Sequence, residues 1–194
     1  HWFSAVQAAA VTNKWDLQVI VKVTCRYEQI IDTSCGRWVG NTEQYLLDNP
    51  PDLVITTATV GSKRQERIPE SYLERWNVLN DAGIPIMAIR DTPWFPYSIP
   101  ACVDENRSDP NVCSMNRDEL LLEVNPAIAA TENIDNFHLA DFTDYLCDDD
   151  RCHAVIDNIV TYRDRDHLTS TFVSRLAPVM EEKLLEILPS AAEE

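Results

Sequence analysis

Apolar residues recur at helical spacing from the first positions of the chain, where Trp2, Phe3, Val6, Ala9 and Ala10 predict an amphipathic helix. The stretch from Asp16 to Val23 (DLQVIVKV) is rich in β-branched residues and predicts a strand. A loop is expected through Cys25, Cys35 and Gly40, followed by a short helix capped by Asn41 or Thr42 and running to Leu47; Pro50 and Pro51 prevent its continuation. Leu53 to Thr59 (LVITTAT) predicts the next strand, and its continuous apolar start suits a buried position in a parallel sheet. Ile68-Pro69-Glu70 opens a helix with proline where its missing N–H is harmless, and Gly83 closes that helix after Leu79 and Ala82. Ile84 to Ile89 (IPIMAI) predicts a third strand.

The second half begins differently. Between Asp91 and Pro110 four prolines surround Trp94, Phe95 and Tyr97, which predicts a long stiffened loop. Helices are expected at Arg117 to Val124 and from Pro126 to Ala130, a strand at Phe137 to Phe142, and a short hairpin or edge segment at Ala154 to Tyr162. Thr169 or Ser170 caps a terminal helix whose apolar face carries Val173, Leu176, Met180, Leu184 and Ile187, with Pro178 kinking it. Strands alternating with helices of these lengths predict an α/β fold built from βαβ units, with helices on both faces of a parallel sheet. No repeat or linker divides the 194 residues, a length that suits one domain.

Charge and composition narrow the function classes. A formal charge of −16 repels a phosphate backbone, and no basic stripe tracks one, so nucleic acid is not an expected partner. The apolar fraction of 45% is ordinary, and no apolar run approaches the ~20 residues that cross a bilayer. Ser190 to Glu194 read as a frayed acidic end. The chain opens without a basic and apolar leader, so it is expected to be cut from something longer or processed.

Six cysteines form three sequence-local pairs, Cys25 with Cys35, Cys102 with Cys113 and Cys147 with Cys152. None has C-x-x-C spacing, and an even count in loop-like contexts reads as disulfides made in an oxidising compartment, against the alternative of buried free thiols. The run from Cys147 to His153 contains metal-binding residue types, but reads as a disulfide-closed acidic turn. No metal and no cofactor are expected.

The stretch Tyr162-Arg163-Asp164-Arg165-Asp166-His167-Leu168-Thr169 is a polar loop directly before the terminal helix. In a nucleophilic triad an imidazole takes the serine proton, and a carboxylate fixes the imidazole's tautomer and stabilises the imidazolium. Asp164 and His167 supply both groups from one loop. By itself D-x-x-H is also the pattern of a surface turn beside a helix cap, but here it follows a strand-like segment in an α/β chain, where ligands bind beyond the carboxyl ends of strands.

With the Cys147-Asp-Asp-Asp-Arg-Cys152 loop before it and Asp91-Thr92-Pro93 with Cys102 upstream, this segment resembles the SGNH domains fused to bacterial acyltransferase-3 membrane proteins. The resemblance extends to the strand at Asp52 to Ile55 and to the opening His1-Trp2-Phe3-Ser4-Ala5-Val6, so it covers most of the chain. It implies a three-layer α/β/α, flavodoxin-like SGNH hydrolase fold with a parallel sheet, as one domain over residues 1–194. It also implies His167 as general base and Asp164, three residues before it, as the orienting acid; Asp166 is the competing carboxylate.

The family's Gly-Asp-Ser-His block, on the first strand, does not occur in these 194 residues and is expected upstream of His1. Ser4 does not replace its serine, because it sits on a helix with no glycine beside it, whereas a nucleophile needs a sharp turn and nearby N–H donors. No asparagine matches the family's third block; Thr24 and Cys25 follow the first visible strand, and Thr57 and Thr59 are the remaining oxyanion candidates at the second. His1 and His138 have no recognisable partners in sequence.

The implied activity is extracytoplasmic O-acyl transfer, with acetyl as the expected acyl group. The implied partners are a membrane acyltransferase domain of the same parent protein, an acyl donor and a carbohydrate acceptor in the cell envelope. The alternatives are an esterase that uses the same triad with water, and a non-catalytic glycan- or partner-binding module.

Overall fold

A computed structural model describes residues 1–28, 31–61 and 65–188; Ser190 to Glu194 lie outside the described residues. In chain order the elements are α1 (Phe3–Asn13), α2 (Ser34–Asp48), β1 (Val54–Thr57), α3 (Glu70–Asp81), β2 (Ile86–Ile89), α4 (Ile99–Glu105), β3 (Met115–Asn116), α5 (Arg117–Leu120), α6 (Ala127–Thr131), β4 (Phe137–Ala140), β5 (Arg151–Cys152), β6 (Val155–Ile156), β7 (Ile159–Val160), α7 (Ser170–Arg175) and α8 (Ala177–Leu185). β1, β2 and β4 form a parallel sheet in that order, with Val54 opposite Ile86 and Ile86 opposite Phe137. This is the α/β architecture that the strand and helix alternation predicts.

β2 is central and all four of its residues are buried. Because successive side chains in a strand point to opposite faces, Met87 and Ile89 enter one core with Ala5, Val6, Ala9, Val173, Met180 and Leu184. Ile86 and Ala88 enter the other, with Tyr72, Trp76, Leu79, Ala127 and Ile134. Thus α1, α7 and α8 cover one face of the sheet, and α3 and α6 the other.

Beyond the carboxyl end of each strand of this sheet the chain contributes one member of a polar cluster centred on a buried ion pair. Arg90 follows β2 and donates to Glu66 through Nε (2.8 Å) and Nη2 (2.7 Å), to Asp141 after β4 (3.2 Å) and to the Leu122 carbonyl (2.8 Å). Thr59, after β1, donates its hydroxyl to Glu66 (2.9 Å) and accepts the Asp91 N–H (3.0 Å). The Arg90 and Glu66 side chains are 3% and 2% exposed. Two charges removed this far from water persist because nearly every donor and acceptor is satisfied.

Several local expectations give way to the tertiary structure. Asp16 to Val23 is not a strand: among the described residues its backbone pairs with no strand, and Val19, Val21 and Val23 are 53%, 77% and 87% exposed. β-Propensity reflects packing on a pleated surface rather than an autonomous backbone preference, and here no such surface is supplied. α2 begins at Ser34 rather than near Asn41, because the Thr33 side chain accepts the Gly36 N–H and caps it (3.0 Å). The proline-rich stretch contains α4, with Pro100 in its first turn.

The expected helix at Arg117 to Val124 is only one turn, α5. The terminal helix divides at Leu176 into α7 and α8 two residues before Pro178, and Thr169 caps α7 by accepting the Phe172 N–H (3.3 Å). β6 and β7 form the expected hairpin through Asp157 and Asn158, whose φ of 49° and 62° suit a tight turn that these short polar residues tolerate. Gly83, at φ 74°, ends α3 in a backbone region that costs other residues more.

All three expected disulfides are present, joining Cys25 to Cys35, Cys102 to Cys113 and Cys147 to Cys152. Among the described residues no helix is long and apolar enough to cross a membrane.

Candidate active site

The loop from Tyr162 to Leu168 is closed at its base by an antiparallel bridge between those two residues and by the Arg163 N–H donating to the His167 carbonyl (2.8 Å). Tyr162 is fully buried and meets Phe95 edge to face, with ring centroids 5.0 Å apart, so the loop departs from a fixed point in the core. Inside the loop Asp164 Oδ1 accepts the N–H groups of Asp166 (3.0 Å) and His167 (2.8 Å). His167 Nδ1 lies 2.9 Å from Asp164 Oδ2 and 3.1 Å from its Oδ1.

These contacts bring together the two residues expected to act together. Asp166 Oδ2 is 3.5 Å from the same nitrogen, longer than either Asp164 oxygen. Partial burial pushes the Asp164 carboxyl up, but the two loop N–H groups and the His167 ring outweigh it and hold the pKa below the ordinary range. Asp166 moves the other way: burial raises its pKa and repulsion from Asp164 adds to this, against the attraction of His167. Asp164 is therefore the better anion of the two. A neutral His167 that donates Nδ1–H to it presents its lone pair at Nε2, the arrangement a general base requires.

The proline-rich loop fixes this constellation from outside. Phe95 N–H donates to the Arg165 carbonyl (2.8 Å), Arg165 Nε returns a bond to the Phe95 carbonyl (3.0 Å), and Ile99 N–H donates to the Asp164 carbonyl (3.0 Å). Thr92, which is 2% exposed, donates its hydroxyl to the Asp166 carbonyl (2.7 Å). The His167 and Asp164 side chains remain 45% and 44% exposed, so backbone bonds rather than burial hold them in place.

The other residues noted in sequence separate clearly. Ser4 shares a hydrogen bond with Ser170 (2.7 Å), a link between α1 and α7. Thr59 is fully buried and its hydroxyl is used by Glu66 and Asp91, so it has no donor left for an oxyanion. His138 is exposed on β4. Cys147 and Cys152 are disulfide-bonded, and His153 pairs with Asp148 (2.9 Å), as a closed acidic turn requires. His1 stacks on His167, with centroids 4.8 Å apart and planes 14° apart.

Ligand atoms of His1, Asp166 and His167 lie within 4.8 Å of one another. The two nearly parallel rings direct their in-plane lone pairs along separate planes, an arrangement that does not converge on one metal ion at bonding distances of ~2.0–2.1 Å.

Sequence reading gave no role to Asp91, Glu66 or Arg90. Asp91 lies two residues beyond β2, its side chain is 9% exposed, and burial raises its pKa to about 6 although the Thr92 N–H and the Trp94 indole N–H oppose the shift. Its position after the central strand was a visible signal; Glu66, in the segment between β1 and α3, offered none.

A parallel α/β sheet with an Asp–His pair on a loop beyond its carboxyl end is the arrangement of an SGNH-type domain. The chain belongs to that class: residues 1–182 match the family described as the SGNH domain fused to AT3 domains. The fold is also shared with the solved structure of the Salmonella ser. Paratyphi A lipopolysaccharide acetyltransferase periplasmic domain, at a TM-score of 0.70 and 14% identity over 95% of this chain and 78% of that one. No curated protein sequence matches the chain.

Proposed function

We propose that this domain carries out extracytoplasmic O-acyl transfer, most simply of acetyl, from a membrane-embedded acyltransferase domain of its parent protein to a hydroxyl of a cell-envelope glycan. Membership of a family fused to AT3 domains and three disulfides support the partner and the compartment. The observation that carries the chemistry is the Asp164–His167 pair, Nδ1 to Oδ2 at 2.9 Å, with the ring of His1, two residues before α1, stacked on the imidazole. A serine in the chain shortly before α1 would reach the free edge of that imidazole.

In this mechanism the serine oxygen attacks the donor carbonyl while its proton passes to His167 Nε2. The tetrahedral intermediate collapses, and the leaving group takes that proton as the acyl-serine forms. A glycan hydroxyl then attacks the acyl-serine, again giving its proton to Nε2, which returns it to the departing serine oxygen. Asp164 holds the ring throughout and stabilises each imidazolium. Because the ring is 45% exposed, water competes with the acceptor, so esterase activity toward small esters accompanies transfer.

β1 is an edge strand of the sheet, and among the described residues the segment from Asp16 to Val23, rich in β-branched side chains, has no strand partner. In this reading a strand preceding α1 pairs with the free edge of β1 and with this segment, delivering the serine at its carboxyl end. The test is mass spectrometry of the full-length protein after brief exposure to an aryl acetate. Acetyl on a serine preceding His1 supports the proposal; acetyl on Ser4, or no acetyl-enzyme in a protein that still turns over the ester, contradicts it.

A further inference from the structure

The three aromatic residues of the proline-rich loop have different fates. Phe95 is buried against Tyr162, and the Tyr97 hydroxyl is used on the Cys113 carbonyl (3.1 Å). Trp94 stays partly exposed, and its only described hydrogen bond runs from Nε1 to Asp91 Oδ2 (3.1 Å), which fixes the indole plane while leaving its faces uncommitted by polar contacts.

Asp91 is the second anomaly. Its Oδ1 accepts the Thr92 N–H (2.9 Å), so the carboxylate has two close donors for about four lone-pair sites. His1 Nε2, at 3.8 Å from Oδ1, is too distant to be a third. On its other side the His1 ring stacks on His167, so Asp91 stands one imidazole away from the candidate base. An under-coordinated, mostly buried carboxylate beside a functional pair marks a place where a ligand donor is missing.

We propose that Asp91 and Trp94 form the acceptor subsite, the carboxylate accepting a hydrogen bond from a pyranose hydroxyl and the indole receiving the apolar face of the ring. This rests on the acyl-transfer reading and specifies which side chains hold its glycan acceptor. A carboxylate beside an aromatic face matches the two surfaces of a pyranose, its hydroxyl rim and its C–H face. The hydrogen bonds between this loop and residues 164–166 hold the subsite in fixed relation to His167. A sugar bound there would place a neighbouring hydroxyl toward the acyl-serine.

The test is binding of methyl glucoside, methyl galactoside and methyl mannoside to the full-length protein by saturation-transfer NMR, which needs no turnover. At least one is expected to bind with saturation strongest on ring C–H protons. Asp91→Asn, which keeps an oxygen acceptor but removes its charge, is expected to weaken that binding ~10-fold, and Trp94→Ala to abolish the C–H saturation. In parallel, the ratio of acetyl transfer to hydrolysis with an aryl acetate and the bound glycoside is expected to fall ~10-fold in both variants, a ratio independent of how much protein is active. Where Trp94→Ala fails to fold, Asp91→Asn decides.

Binding that depends on these side chains in a protein that turns over no ester supports the subsite and sinks only the acyl-transfer reading. Absence of binding by all three glycosides, or affinity and partition ratio unchanged in Asp91→Asn, overturns the subsite.

Discussion

Two stretches with similar β-rich patterning end differently. Ile86 to Ile89 becomes the central strand, paired on both sides and buried on both faces, whereas Asp16 to Val23 takes up no regular structure, pairs with no strand among the described residues and is largely open to solvent. The difference lies in what surrounds them. β2 receives β1 and β4 as ladders and two helical layers as lids, so its β-branched and apolar side chains all find contacts. The earlier segment has the propensity without the partners. The candidate site depends on the first kind of region: Arg90, Asp91 and the loop they hold are placed by the end of β2.

The largest expected effect comes from breaking the buried cluster at that end. Glu66→Ala would leave the Arg90 charge without its main partner and is expected to cost ~3–5 kcal/mol of stability, read as a lower urea midpoint. A cost below ~1 kcal/mol would show that the cluster does not organise the sheet end.

Asp91 gives an effect of opposite sign. Its folded pKa of about 6 lies above the ordinary 3.8, so the fold binds this proton more tightly than the unfolded chain, and stability falls as pH rises from ~4 to ~6. The groups that face it are His1, Asp166, Arg26 and Tyr72. Asp91→Asn is therefore expected to stabilise the protein by ~3 kcal/mol above pH 6 and by almost nothing below pH 4, as urea titrations at the two ends would show. An equal gain at both ends would remove ionisation as the cause.

The smallest effect is expected in the unpaired segment. Val21→Asp, at a site 77% exposed, should change the stability of the 194-residue chain by less than ~0.5 kcal/mol. In a protein that includes the residues before His1, pairing with an added strand would raise the same cost to ~1–3 kcal/mol. Equal costs in both would argue against that strand.

What was legible in sequence follows the same division. The β1, β2 and β4 strands, α3 with its Pro69 opening and Gly83 close, and the three disulfides were readable because local pattern and tertiary demand agree there. The Asp164–His167 pair was readable because one short loop contains it. The failures came where partners distant in sequence decide. Nothing local in Asp16 to Val23 reports that a neighbouring strand is needed, and Asn41 and Thr42 offer the same capping chemistry as Thr33, where α2 actually begins. The contact from Glu66 to Arg90 spans 24 positions, and that from Asp91 to Trp94 acquires meaning only beside His1 and His167.

The central claim is that His167, oriented by Asp164, moves the proton in acyl transfer, and turnover of an aryl acetate by full-length His167→Ala tests it most directly. The account predicts a fall in kcat of ~10³-fold or more with little change in KM, because the lost interaction is made in the transition state. Turnover equal to that of the unaltered protein would contradict it.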